Sequence, residues 1–178
     1  VAVGGPHPTS FFDEIAGADY YVLDEVEETF PLFLADWEAG RAQRLYRPER
    51  KPALTTTPVP RFDLLDLGAY SSMALQFSRG CPFDCEFCNI TTLLGHHPRT
   101  KTAAQIIAEL DSLYAMGWRK SIFFVDDNFI GNKKHIKTEV LPRLIEWRKG
   151  KTGMPFSTEA SINLADDPIL LKLMVDAG

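Results

Sequence analysis

The pattern of hydrophobic and polar positions divides this chain into three regions. In residues 1–40, two short apolar segments are each followed by a segment with helical features, as in the last part of an α/β domain. Residues 41–70 show no hydrophobic period, and from residue 71 onward apolar strands alternate with amphipathic helices. The pattern therefore predicts two α/β units joined by an irregular segment.

Start and stop signals locate the elements of the first unit and the limits of the linker. We predict a strand that ends at the Gly4-Gly5 turn, a helix from Ser10 to Ile15, a strand over Tyr20–Leu23 and a helix from Thr29 to Gly40. Between residues 41 and 70, prolines alternate with basic residues, and prolines at this density interrupt both helices and strand pairing. We therefore expect residues 41–70 to be an extended linker without a ladder.

The third region repeats a strand followed by a helix. Predicted strands cover Met73–Ser78, Ser121–Val125 and 156–162, and the continuous apolar run of the second is typical of a strand buried on both faces. Predicted helices begin at a capping box of Thr102 and Gln105, span 133–149 with a kink at Pro142, and begin again at Asp167-Pro168. Repeated β–α units imply parallel strands, with ligands at their carboxyl ends.

Composition and charge narrow the class of function. The 178 residues have 45% hydrophobic side chains and a net charge of -5, without a basic face suited to nucleic acid. No apolar run reaches membrane-spanning length, so we expect no transmembrane segment. An odd number of cysteines in one loop is no disulfide framework and favours a reducing cytoplasm. Because both ends lie within predicted elements, we expect a piece of a longer protein.

All three cysteines lie in one loop directly after the first strand of the third region. Cys81, Cys85 and Cys88 have the spacing C-x3-C-x2-C. Three thiolates can hold three corners of a cubic iron–sulfur cluster and leave its fourth iron open to a small molecule, whereas clusters that only carry electrons normally have four cysteines. The alternative is a non-enzymatic electron-transfer module or a zinc site with His96 or His97 as fourth ligand, although structural zinc sites usually pair cysteines from two knuckles.

This loop, at the start of a β/α series, resembles that of the radical S-adenosylmethionine (SAM) enzymes. The resemblance implies that the three cysteines hold a 4Fe–4S cluster, that SAM chelates the open iron, and that Phe87 lies beside the adenine. One-electron reduction then cleaves SAM to a 5′-deoxyadenosyl radical, which abstracts hydrogen from an unactivated C–H bond. It also implies that residues 71–178 form the N-terminal half of a partial (β/α)6 barrel.

The same resemblance points to polar residues at the ends of the second and third strands. Asp126, Asp127 and Asn128 follow the second strand, where the family holds the amino group of SAM, and a carboxylate there accepts a charge-assisted hydrogen bond from that ammonium. Which acid makes the contact is left open, as is the reading of this stretch as a plain turn. Glu159 and Ser161 are further candidates for SAM binding, unless the phase of the third strand turns them toward a crossover helix. No residue is assigned a catalytic role.

Residues 1–9 resemble the last strand and loop of the cobalamin-binding domain that precedes one large radical SAM class. In that class Gly4 and Gly5 would let the backbone approach the nucleotide tail of cobalamin, because glycine has no Cβ. The stretch 18–23 also matches, whereas Asp24–Glu27 replaces the usual Gly-Glu-Gly-Glu run. Residues 1–40 are thus expected to be the C-terminal end of a Rossmann-like cobalamin-binding domain.

Three further stretches, 88–102, 124–132 and 158–161, are similar to the subgroup that includes the hopanoid C-methylases. This resemblance implies methyl transfer from methylcobalamin to an unactivated carbon of a lipid-like or secondary-metabolite substrate. It also implies a low-potential electron donor such as flavodoxin or ferredoxin. The alternative is a cobalamin-dependent oxidative cyclase or ring-rearranging enzyme. In either case, we expect the isolated 178 residues to be inactive.

Overall fold

A computed structural model describes residues 1–178 and contains two parallel three-stranded sheets. The first sheet has the order β1-β2-β3 and the second has the order β4-β7-β8. The predicted mixed α/β fold with parallel strands is confirmed. No helix combines the length and the apolar composition needed to cross a membrane.

The first unit differs from its prediction at two elements. Its order is β1 (Ala2–Gly4), α1 (Pro6–Phe11), β2 (Tyr20–Val22), α2 (Thr29–Glu38) and β3 (Leu45–Tyr46). The predicted start of α1 at Ser10 is wrong, because Pro6 supplies a first helical residue whose missing N–H costs nothing. The expectation that residues 41–70 form no ladder is also wrong, since β3 pairs with β2.

The rest of the segment 41–70 packs closely onto the second unit. It contains three short 3-10 turns. Leu54 and Phe62 are only 1% and 5% exposed, and Phe62 belongs to the main core. The prolines interrupt regular structure as expected, but apolar side chains between them still bury themselves, which makes this segment part of the folded body.

The second unit alternates strands and helices as predicted. Its order is β4 (Ser72–Leu75), β5 (Ser78–Arg79), α3 (Ile90–Leu94), β6 (Arg99–Thr100), α4 (Ala103–Ala115), β7 (Ser121–Phe124), α5 (Lys133–His135), a π-helical turn (Ile136–Val140), α6 (Leu141–Arg148), β8 (Phe156–Thr158) and α7 (Pro168–Ala177). The capping box of Thr102 and Gln105 is confirmed, and so is the Asp167 cap, whose side chain accepts from the Leu170 N–H at 3.0 Å.

Three details of the second unit correct the sequence predictions. Strands β4 and β8 are shorter than the predicted 73–78 and 156–162. The kink expected at Pro142 takes the form of the π-helical turn before it, because proline cannot donate the backbone bond that would continue a regular helix. Strand β7 is fully buried on one face only: Ile122 and Phe124 lie in the core, whereas Ser121 and Phe123 on the other face are half-buried.

The core lies between one face of the second sheet and helices α4, α6 and α7. Met73, Leu75, Ile122 and Phe124 of the sheet pack there with the apolar faces of the helices. The opposite face carries exposed Ala74 and Ser157. The sheet therefore has one packed face and one open face, and its carboxyl edge leads into the cysteine loop.

Candidate functional site

The cysteine loop projects from the carboxyl edge of the second sheet into solvent. Cys81 is half-buried, while Cys85 and Cys88 are exposed. Inside the loop the Cys88 N–H donates to the Cys85 carbonyl at 2.9 Å, which folds the last two cysteines into one turn. The thiols themselves are left free of disulfide bonds, as a cluster-binding loop requires.

Glycine fixes the point at which the chain enters this loop. Gly80 has φ +98°, and a Cβ there would lie 2.7 Å from the Gly95 carbonyl oxygen and 3.0 Å from that of His97. The Cys81 N–H donates to the same Gly95 oxygen at 3.2 Å. Only glycine allows so close an approach, and it brings the first cysteine against the returning chain.

The donor set fits a cubic cluster better than a single ion. No three His, Cys, Asp or Glu side chains converge around one ion-sized point. A tetrahedral zinc site requires such convergence, whereas each thiolate of a 4Fe–4S cluster binds its own iron. His96 and His97, which the zinc alternative needs, are both exposed. The loop supplies three thiolates of the right chemistry and spacing for three corners.

Asp126 has a role that the sequence did not reveal: it turns the chain from β4 into the cysteine loop. Its carboxylate is 2% exposed and accepts from the Phe77 N–H at 3.0 Å, from the Ser78 N–H, and from Ser78 Oγ at 2.5 Å. These bonds satisfy amides that leave the ladder when β4 ends. Burial raises the pKa of Asp126 although these hydrogen bonds favour its ionised form. Both oxygens of this carboxylate thus accept hydrogen bonds from Phe77 and Ser78.

Asn128 and Ser161 are likewise bound to each other. The Asn128 side chain is buried, and its Oδ1 accepts from the Ser161 N–H at 3.2 Å while lying 3.3 Å from Ser161 Oγ. The hydroxyl also lies 2.8 Å from Asn163 Oδ1. These contacts join the turn after β7 to the turn after β8, so both residues support the site edge from within.

Asp127 and Glu159 are the two predicted acids whose side chains face solvent. Both are exposed, and the Phe129 N–H donates to the Glu159 carbonyl at 3.0 Å, which brings the two turns together. Partial burial and, to a smaller extent, the nearby charge of Glu159 raise the pKa of the Asp127 carboxyl above its ordinary value. A negative region without a cation of its own therefore stands at the carboxyl edge of β7 and β8.

Contacts within the protein explain one of the two N-terminal glycines, Gly4, but not Gly5 or Phe87. Phe87 is 93% exposed, so almost none of its side chain is buried by the rest of the protein. A Cβ on Gly4 would lie 2.4 Å from the Val22 carbonyl oxygen, so strand pairing alone explains this glycine. Gly5 has φ +98° with open space around its missing Cβ. Of the two, Gly5 is the one with room for a ligand.

A cavity of about 460 Å³ lies between the two units. Gly5, Pro6 and Thr9 form one wall, and Asp24 to Glu27 continue it. The facing wall is formed by residues just beyond β4 and β7, by β5 and by helix α3, which directly follows the cysteine loop: Gln76, Arg79, Val125, Asp127, Ile90, Leu93 and Leu94. The structure thus brings predicted residues from both units, Gly5 and Asp127, to a single cavity.

A buried ion-pair network beside this cavity was also missed by sequence reasoning. Glu25 is paired with Arg79 and Arg99, which flank the cysteine loop in the chain. Burial opposes ionisation of Glu25, but hydrogen bonds from Arg99 and Arg79 outweigh it and lower its pKa. The placement of an arginine on either side of the loop is a signal in the sequence, but strands of two residues such as β5 and β6 leave no periodicity.

The Radical SAM superfamily profile matches residues 75–178. An uncharacterized methyltransferase of Synechocystis sp. is 55% identical over 99% of this chain, and the hopanoid C-2 methylase of Rhodopseudomonas palustris is 38% identical over 99%. The bacteriochlorophyllide d C-12(1)-methyltransferase of Chlorobaculum tepidum is 24% identical over 100%. The chain spans 33%, 34% and 40% of these relatives, respectively.

The profile match begins at the end of β4 and contains the cysteine loop and both following strands of the second sheet. Members of this superfamily are enzymes that use SAM and a 4Fe–4S cluster, which agrees with the three free thiols at the sheet edge. By this match over more than half of its length, the chain belongs to the radical SAM superfamily.

Proposed function

We propose that the whole protein is a cobalamin-dependent radical SAM methyltransferase that methylates an unactivated carbon. The observation that carries the proposal is the cavity between the two units, because it is bordered by the open Gly5 turn on one side and by Asp127 and helix α3 on the other. The names of the relatives, which are methyltransferases and a hopanoid methylase, support the reaction type and favour a lipid-like substrate or a secondary metabolite.

The cysteines and Phe87 form the SAM-facing part of the site in this proposal. When bound, a 4Fe–4S cluster on Cys81, Cys85 and Cys88 supplies the electron for reductive cleavage of SAM, and cobalamin supplies the methyl group. The exposed ring of Phe87, one residue before Cys88, is free to cover the adenine and to exclude water from it. Burial of such a ring against a ligand contributes about 1.5–3 kcal/mol.

Asp127 and Glu159 hold the ammonium of SAM. They are the exposed acids at the strand ends, whereas the side chains of Asp126, Asn128 and Ser161 form hydrogen bonds with other residues of this chain. Burial, with a smaller contribution from the charge of Glu159, raises the pKa of the Asp127 carboxyl, and an ammonium placed between the two acids would offset one of their two negative charges. The charge-assisted bonds would fix the orientation of SAM toward the cluster loop.

Gly5 serves as the point of close backbone approach to cobalamin. Its backbone conformation is one that side chains rarely adopt, and the space beside it is open. Gly4 supports β1 instead, through its contact with Val22. We accordingly assign residues 1–40 to the end of a cobalamin-binding domain, 41–70 to a connecting segment and 71–178 to the first half of a partial (β/α)6 barrel.

This chemistry requires one protein partner and a reducing compartment. Reductive cleavage of SAM requires a low-potential electron donor, and we propose a flavodoxin or ferredoxin. The exposed cysteines at the loop surface are compatible with a docking partner, and thiolates that bind iron require a reducing compartment, for which we propose the cytoplasm.

The proposal is tested on the full-length protein after anaerobic reconstitution with iron, sulfide and cobalamin. SAM labelled at its methyl carbon is supplied with a low-potential reductant and a hopanoid, the compound class of a relative. We expect label in the protein-bound corrinoid and in the methylated product, with 5′-deoxyadenosine formed in parallel. Omission of cobalamin should abolish labelling of the product.

Other outcomes separate the alternatives. Formation of 5′-deoxyadenosine without label in corrinoid or product would refute methyl transfer and favour an oxidative cyclase or ring-rearranging enzyme. Label in the corrinoid without a labelled hopanoid would keep the methyltransferase and exclude only that substrate. Stoichiometric zinc binding with no cluster formed would reject the radical SAM assignment of this loop.

A further inference from the structure

The base of the cysteine loop is a two-residue antiparallel neck. Strands β5 and β6 pair with Ser78 opposite Thr100 and Arg79 opposite Arg99. Directly opposed residues of such a pair project from the same face with their Cβ atoms about 5 Å apart, and like charges at these positions destabilise the pairing. Two guanidinium groups, each about 20% exposed, therefore stand side by side where the loop closes.

Glu25 lies between these two arginines. Arg99 binds it in a two-pronged arrangement, with Nη1 2.9 Å from Oε2 and Nη2 2.6 Å from Oε1. Arg79 donates from Nη1 to Oε2 at 2.8 Å. The Glu25 side chain is only 5% exposed, so these bonds are little weakened by water. One carboxylate thus joins both strands of the neck.

The remaining contacts balance the charge of the network. Arg79 also lies 2.7 Å from Glu27 Oε1 and donates to Gln76 Oε1 at 2.7 Å. Arg99 donates to the carbonyls of Pro52 at 2.7 Å and Leu94 at 3.1 Å. Two arginines therefore face two glutamates. Without Glu25, Arg79 would keep Glu27 as a partner, but Arg99 would be left with carbonyl acceptors only, and the neck would carry an uncompensated positive charge.

Glu25 belongs to a different part of the fold from the loop it contacts. It stands three residues after the end of β2, in the first unit, and is 54 and 74 residues from Arg79 and Arg99. We infer that Glu25 is a positioning residue, which holds the neck of the cysteine loop closed by neutralising the opposed Arg79–Arg99 pair and so makes the loop geometry depend on docking of the first unit. The inference concerns the loop alone and does not require cobalamin.

The first experiment follows hydrogen exchange in the cluster-free full-length protein. Glu25→Gln keeps the size of the side chain and removes its charge. Backbone amides of the neck, in peptides covering 77–81 and 99–101, should exchange about tenfold faster, because local opening of the pair becomes easier. The matched control is Glu28→Gln, an equal charge change at an exposed side chain of the same segment. It should leave the neck unchanged.

A charge-balanced double variant separates neutralisation from simple contact. Glu25→Gln combined with Arg99→Met leaves Arg79 paired with Glu27, so the neck is neutral again. We expect its amides to exchange more slowly than those of Glu25→Gln alone. If Glu25 were merely a packing contact, loss of a second partner would speed exchange further. Wild-type exchange in Glu25→Gln, or faster exchange in the double variant than in the single one, would overturn the inference.

Iron retention gives a second readout after anaerobic reconstitution. A chelator should remove iron about tenfold faster from Glu25→Gln than from the wild type or Glu28→Gln, in line with the usual effect of residues that orient metal ligands. Thermal unfolding of each variant identifies any global loss of fold. If Glu25→Gln speeds amide exchange in the neck but leaves iron retention unchanged, Glu25 stabilises the neck only, and its proposed effect on the loop geometry is rejected.

Discussion

The cysteine loop and its neck are adjacent in the chain but opposite in their interactions. Residues 82–89 are all exposed, and the cysteines have free thiols. In the neck, Ser78 is buried, and the two arginines are bonded to glutamates and carbonyls. The thiols proposed to bind the cluster are thus left free of disulfide bonds, whereas the neck that orients them is held by ion pairs and hydrogen bonds within the protein.

Adjacent acids show the same contrast within two residues. Asp126 accepts three hydrogen bonds from the end of β4 and the start of β5, while Asp127 is exposed at the cavity. Sequence position alone does not separate them, because both follow the same buried strand. The alternation of side chains along the strand does, since Asp126 continues the core face of Ile122 and Phe124.

The largest effect expected in the loop is complete loss of the cluster without loss of the fold. Replacing Cys85 or Cys88 by alanine removes one corner ligand, so the reconstituted full-length protein should hold no stable 4Fe–4S cluster and should form no 5′-deoxyadenosine. Because both side chains are exposed, the free energy of unfolding of the cluster-free protein should change by less than about 0.5 kcal/mol. Iron and sulfide analysis and chemical denaturation measure the two quantities.

The matched control is Glu86→Gln, an exposed change inside the same loop that should retain the cluster. If Cys85→Ala strongly destabilised the cluster-free protein, the proposed division between a free loop and a rigid neck would be wrong.

The largest effect expected in the scaffold is on stability. Asp126→Ala leaves the Phe77 and Ser78 amides buried without an acceptor, which should lower the free energy of unfolding by about 3–5 kcal/mol. Asp127→Ala, one residue further on at an exposed position, should change it by less than about 0.5 kcal/mol. Urea denaturation of both variants measures the difference, and equal effects would show that Asp126 is not a structural anchor.

Much of the fold was predictable because local signals and tertiary structure agree. The capping box at Thr102, the Asp167 cap and the apolar run of β7 each correspond to an observed element. The start of α1 was not found because a proline read as a turn residue also begins a helix well. Strand β3 was not found because its pairing with β2 depends on long-range contacts, which two residues cannot encode locally.

The parts of the candidate site that depend on residue type and spacing were predictable, whereas those that depend on strand register or long-range contacts were not. The cysteine spacing predicted a cluster loop, and this loop lies within the residues that the Radical SAM profile matches. The phase of the third strand was open in the sequence, and the register of β8 on β7 is what places Thr158 beside the core and Glu159 on the open face. Glu25 could not have been linked to Arg79 and Arg99, because nothing local records a contact across 74 residues.

A smaller effect is expected for Asp127 in SAM binding, with a defined dependence on pH. Asp127→Asn should weaken SAM binding to the cluster-loaded protein about tenfold, as loss of a charge-assisted hydrogen bond does. Burial and the Glu159 charge raise the pKa of Asp127 above its ordinary value of 3.8. The ionised form binds the ammonium, so wild-type affinity should fall as the pH decreases through this raised pKa.

Titration calorimetry at several pH values checks both parts. The Asn variant should bind weakly and lose the part of the pH dependence that Asp127 causes, while its stability stays unchanged. An Asn variant with wild-type affinity would reassign the ammonium to Glu159, and Glu159→Gln tests this directly.

The smallest effect concerns the helix that continues from the neck. Thr102→Ala removes the N-cap of α4, whose side chain accepts from the Gln105 N–H at 3.2 Å, and should lower the free energy of unfolding by about 1 kcal/mol. Gln105→Glu preserves a capping box but removes the Nε2 donor that binds the carbonyls of Leu54 at 3.0 Å and Thr57 at 3.1 Å. The carboxylate would then face two carbonyl oxygens, so Gln105→Glu should destabilise at least as much as Thr102→Ala. Denaturation of both variants measures these changes in the free energy of unfolding. If Gln105→Glu left the stability unchanged, the segment 41–70 would not need the hydrogen bonds from Gln105 to stay packed beside the neck.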